Sequence, residues 1–244
     1  MKEAIEMKQI SRKIMIVPAS YRERIAQFDK KDALLALTVI TAYFLVMAIS
    51  GMIVTYVSQL QMTFIGGGIN LLFVVLVLVL LKIRKQGIES IGFKEGNVKL
   101  SLILGGILAA ILFFCNCLSN VLFEQQSFIS FADILIYLVY FFTVGLSEEV
   151  LFRGYLESRL HSLTKSVFLD VLVTGILFVL MHFPFRMIAY DMSFWTILSN
   201  AGYMTDLFIT HLILSYIRIR TDSLYGAILP HWVSDLAYRI VTHI

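Results

Sequence analysis

The chain has 244 residues, 59% of them hydrophobic and only 15% charged, with mean hydropathy +0.83. A soluble domain carries roughly 25% charged residues, so the bilayer is the natural solvent for this one. The net charge of +3, with no basic stripe interleaved with aromatics, excludes nucleic-acid binding. Apolar runs without polar–apolar alternation exclude a membrane β-barrel. Helices remain as the way to satisfy backbone groups in lipid. The expected fold class is all-α, a polytopic transmembrane bundle of about seven helices with a cytoplasmic N-terminus.

Residues 1–31 carry eight Lys/Arg and no apolar h-region, so no secretory signal peptide is read there. The segment is expected on the cytoplasmic surface, with a short amphipathic helix near Ile10–Val17. Residues 32–244 are expected to form one transmembrane domain. Its apolar segments run over Ala33–Val57, Phe64–Leu81, Leu100–Leu122, Ala132–Arg153, Ser166–His182, Leu198–Ile217 and Leu224–Val241. Each approaches the length a bilayer span needs; the last is the shortest and contains Pro230, His231 and Asp235.

Lys and Arg give the orientation. The first connection has none, and the second has Lys82, Arg84, Lys85, Lys94 and Lys99. The third again has none, and the fourth has Arg153, Arg159 and Lys165 around it. The fifth has Arg186, and the sixth Arg218 and Arg220. That alternation fits seven spans with the N-terminus inside. Gly66–Gly68 and Gly105–Gly106 read either as close helix contacts or as loop and filler. Cys115 and Cys117, two apart in an apolar helix, point away from each other and read as buried small hydrophobes rather than a disulfide.

Ionisable groups inside a membrane are costly and usually functional. Here they concentrate in the last four segments: Glu148, Glu149, Arg153, His182, Asp206, His211, His231, Asp235 and Arg239. Glu149 and Arg153 are four apart on one helix face, where they can pair. Glu148 points about 100° away. A carboxylate in a low-dielectric pocket suits general-base work. Phe178 and His182 are one turn apart, as are His231 and Asp235, which follow a proline that removes a backbone hydrogen bond. Measured from the turn near His161–Lys165, Glu148 lies roughly 20 Å deep and His182 roughly 24 Å. His211 and His231 lie some ~13–16 Å from the Arg220–Ser223 turn. Four helices could converge on one polar pocket. For Asp206 and His211 a structural polar contact is the favoured reading, with a pocket role open to His211. His161 and His243 are expected to face solvent.

Glu148-Glu149-Val-Leu-Phe-Arg153 resembles the EExxxR motif of the CAAX protease and bacteriocin-processing (CPBP) family of intramembrane proteases. Phe178-Val-Leu-Met-His182 resembles its FxxxH motif, and His231-Trp-Val-Ser-Asp235 its HxxxN/D motif. The resemblance covers about Ile129–Ile240. It implies that Glu148 and His182 activate a water for attack on a peptide carbonyl. His231 and Asp235 would stabilise the oxyanion or help bind a metal, and Glu149, Arg153 and Phe178 would support the site. The family is commonly classed as metalloprotease, although a metal-free glutamate mechanism has also been proposed. Glu148, His182 and His231 could supply ligands to a divalent metal such as zinc, but no HExxH signature is present. Asp235 stands where some members have asparagine. An ionised aspartate cannot donate to an oxyanion, so it must be protonated, orient His231 or bind a cation.

The resemblance implies a multi-pass protein of a cell membrane, of bacterial type, acting on a membrane-associated peptide or protein. The alternatives are a catalytically silent scaffold or bacteriocin self-immunity protein of the same fold, and a proton-relay transporter. A transporter predicts internal repeats, and none is visible.

Overall fold

The computed structural model describes residues 17–94 and 96–242. The helix expected near Ile10–Val17 lies outside them except for Val17, which is not helical, and His243 also lies outside. Among the described residues nine helices follow in order: α1 Ala19–Ile25, α2 Lys30–Ile53, α3 Gln59–Ile83, α4 Val98–Phe123, α5 Phe131–Thr164, α6 Val167–Ala189, α7 Phe194–Ser199, α8 Ala201–Thr221 and α9 Tyr225–Arg239. A short 3-10 turn, Ile88–Ile91, precedes α4. Among the described residues the only β-pairing is an isolated bridge between Phe128 and Val241.

Polar caps set where the apolar runs become helices. Asp29 accepts from the Asp32 amide, and Ser58 from the Gln61 amide, each in a reciprocal capping box. Asn97, Ser130, Ser166, Ser193 and Asn200 cap α4 to α8 in the same way, each accepting an amide three residues on.

Each of the seven expected apolar segments lies on a helix. Five of these, α2 to α6, are long and apolar enough to cross a membrane. The described residues form an all-helical bundle, as expected, with five candidate spans by length and composition. The 15-residue α9 and the polar-studded α8 fall outside that set. The fourth segment runs beyond Arg153 to Thr164, and the chain turns at Lys165, whose φ of 55° is left-handed. Arg159 is therefore not a loop cation. Its guanidinium is buried, donating to Gln86 Oε1 at 2.7 Å and Ser90 Oγ at 2.9 Å. His161 does not face solvent freely either: its Nδ1 lies 2.8 Å from Asp170.

The main core is built by Tyr43, Phe73, Val77, Leu81, Phe152 and Phe178, with α2, α3, α5 and α6 contributing. α1 docks on the bundle through Tyr21 and Ile25, which pack against Val171 and Ile219. Its Arg24 reaches Asp222 at 2.7 Å.

α9 lies against α4 and α5. Gly105 and Gly226 let the α4 and α9 backbones abut, because a Cβ on either would strike the other helix's main chain. Gly106 and Gly68 face open space, so filler is right for them. Pro230 leaves α9 continuous. The carbonyl it deprives of an amide is that of Gly226, the residue against which α4 packs. Of the two cysteines Cys117 is buried, whereas Cys115 is exposed on the apolar surface.

Candidate active site

The site is made where α5 changes its winding. Residues Glu149–Leu156 form a π-helical stretch, every residue of it buried. Such stretches are rare and concentrate at functional sites, where the wider turn re-aims side chains. Glu148 closes the preceding α-helical part, so the two adjacent glutamates straddle the change.

His231, from α9, joins them. Its Nδ1 lies 2.6 Å from Glu149 Oε1, which also accepts from Arg153 NH1 at 2.7 Å. Its Nε2 lies 3.5 Å from Glu148 Oε2 and 3.6 Å from Asp235 Oδ2. A carboxylate can only accept, so Nδ1 carries a proton and Nε2 faces the other two carboxyl groups. Glu149 and Arg153 have no exposure, Glu148 is 7% exposed, and the Asp235 side chain is 33% exposed. The cluster therefore opens from a sealed ion pair towards Asp235.

Phe178, on α6, is the hub. The Arg153 guanidinium stacks 4.2 Å over its ring. Its centroid lies 5.3 Å from His182, 5.8 Å from His211 and 6.1 Å from His231. Side chains of α5, α6, α8 and α9 thus converge, as the depth argument anticipated, but around an aromatic ring. The hydrogen bond of His182 runs from Nδ1 to the Phe178 carbonyl at 2.9 Å. Since the carbonyl accepts, Nδ1 is the protonated nitrogen and Nε2 keeps its lone pair. His211 lies on the far side, with Nε2 3.0 Å from the Val171 carbonyl. Asp206 makes no such contact and is exposed. Among the described residues, no group of three or more His, Cys, Asp or Glu side chains is placed to hold a metal ion, so Glu148, His182 and His231 are not gathered as one ligand set.

Sequence reasoning missed several polar partners. Tyr43 donates to Asn70 Oδ1 at 3.3 Å between α2 and α3, within electrostatic reach of Glu148. Asn116, on a π-turn of α4, donates to Ser234 Oγ at 3.1 Å and ties α4 to α9 beside the third motif. Glu157, buried one turn beyond Arg153, accepts from Ser215 at 2.7 Å. For Asn70 and Asn116 the available signal is a lone Asn inside an apolar run; Glu157 lies in the polar stretch Glu157-Ser-Arg and carries no such signal.

These features define a multi-pass membrane protein whose carboxylate and imidazole side chains meet between its helices. Residues 130–237 match the family model described as Rce1-like: type II CAAX prenyl endopeptidase Rce1-like. The matched stretch contains all three motifs. No curated protein and no solved structure matches the chain.

Proposed function

We propose that the protein is an intramembrane endopeptidase hydrolysing a membrane-associated peptide, with Glu148 as general base. The observation that supports this most is the placement of His231 between two buried glutamates, one bound to Arg153 and one not. Glu149, bound to Arg153, fixes the imidazole, and Glu148, outside that ion pair, is left to take a proton.

In this reading water is held between Glu148 and the lone pair of His182 Nε2. Glu148 takes a proton as the water oxygen attacks the scissile carbonyl. The oxyanion that forms is met by Nε2–H of His231 in its doubly protonated form, whose Nδ1–H is held by Glu149. Asp235, 3.6 Å from that nitrogen, acts on the imidazole rather than on the oxyanion. Glu148 then returns its proton to the leaving amine, giving a carboxyl and an amine product.

A cleft of about 440 Å³ supports the approach of a peptide. Tyr137, Tyr140, Phe141, Tyr190, Gln59 and Arg239 are among its lining residues. His231, Asp235 and Arg239 succeed one another by one turn along α9, so one helix face leads from the cleft towards the site.

The test is cleavage of a membrane peptide by protein reconstituted in vesicles. Glu148→Ala and His182→Ala, made separately, are expected to abolish it. Retained biological activity in both variants overturns the protease reading and leaves a scaffold. The same assay with a chelator reads metal dependence.

A further inference from the structure

Beyond Phe178, the polar ladder of α5 continues away from the proposed reaction centre. Glu149, Arg153 and Glu157 recur every four residues, all with no exposure. Glu157 Oε2 accepts from Ser215 Oγ at 2.7 Å and lies 3.9 Å from His211 Nε2. His211 Nε2 is held by the Val171 carbonyl at 3.0 Å, so that nitrogen carries the proton and Nδ1 is an acceptor.

Four further buried atoms here lack a direct hydrogen-bond partner among the described residues, and they are complementary. Nε and NH2 of Arg153 are donors, and Glu157 Oε1 and His211 Nδ1 are acceptors. Arg153 lies within electrostatic reach of both Glu157 and His211. A water needs two to four polar partners to be held inside a protein, and this set supplies them.

We propose that Glu157, held by Ser215, is a positioning residue of the site, acting on Arg153 through shared buried water. The chain of contacts then runs Glu157, water, Arg153, Glu149, His231. Its effect is to hold Glu149 where it accepts from His231 Nδ1 and fixes the orientation of the ring. This rests on the protease reading for its kinetic readout, but the His231 signal reads it independently.

The experiment compares wild type, Glu157→Gln and Glu157→Leu in vesicles. One readout is kcat and KM for peptide cleavage, and the other is the imidazole ¹⁵N NMR signal of His231. Glu157→Leu is expected to lower kcat about 10- to 100-fold, the usual effect of losing a supporting partner. KM should be essentially unchanged, and the His231 Nδ1 signal should shift as its hydrogen bond to Glu149 loosens. Glu157→Gln, which keeps an oxygen and the Ser215 contact, is expected to recover part of both. Unchanged kcat and an unchanged His231 signal in folded Glu157→Leu overturn the proposal, as does a loss confined to KM. If Glu157→Leu does not fold, Glu157→Gln decides on the same two readouts. If wild type cleaves no peptide, the protease reading fails, and a shifted or unshifted His231 signal alone upholds or overturns the role of Glu157.

Discussion

Glu149 Oε1 and His231 Nδ1 meet at 2.6 Å although 82 residues separate them. The same oxygen holds Arg153, so one carboxylate oxygen joins α5's internal ion pair to α9's imidazole. Removing this carboxylate leaves a buried guanidinium unpaired, which costs about 3–5 kcal/mol. Glu149→Leu is accordingly expected to lower the thermal midpoint in detergent sharply or prevent folding. Glu149→Gln, still able to accept from His231, should fold but cleave poorly.

Glu148 behaves differently. Its contact to His231 is 3.5 Å and, among the described residues, no arginine forms an ion pair with it. Glu148→Gln is expected to leave the thermal midpoint near wild type while lowering kcat by about 10²- to 10⁴-fold, the range for loss of a general base. A parallel fall in both stability and rate would mark Glu148 as structural.

Gly175 tests the packing behind the site. A Cβ there would lie 2.7 Å from His211 Cδ2 and 2.8 Å from Phe208. Gly175→Ala should displace the imidazole at a cost of about 1–3 kcal/mol. It is read as a lower melting point together with a changed His211 NMR signal.

The N-terminus of α2 supplies a pH dependence outside the membrane. The Asp32 amide, and then Arg84, hold the Asp29 carboxyl below its ordinary range. A depressed carboxyl stabilises fully above its unfolded value, and the contribution fades as pH falls through the folded value. Thermal midpoints measured across acidic pH should drop more steeply for wild type than for Asp29→Asn, which keeps the cap and lacks the charge.

How much of this is legible in the sequence depends on the kind of residue. Apolar runs and the Asp, Ser and Asn caps set the helices, because lipid offers the backbone no other partner. The Glu149–Arg153 pair follows from four-residue spacing. The contact of both glutamates with one imidazole does not. Regular winding sends Glu148 and Glu149 about 100° apart. They share His231 because the ring presents its two nitrogens to different carboxylates where the winding widens. Arg159 counts as an orienting cation because it stands next to the turn at His161–Lys165; its burial against Gln86 and Ser90 rests on tertiary contacts that spacing does not encode. His182 was rightly placed a turn from Phe178, but its bond to that residue's carbonyl depends on the break at Met181.

The contact of Gly105 with Gly226 has a mechanical meaning. Two main chains in direct touch leave no side chain to flex between them, so α9 cannot slide along α4 without prising the pair apart. The height of His231 is thereby anchored by rigid atoms, five residues from the stop. Substitutions on the lipid-facing flanks can then accumulate without changing where the imidazole sits.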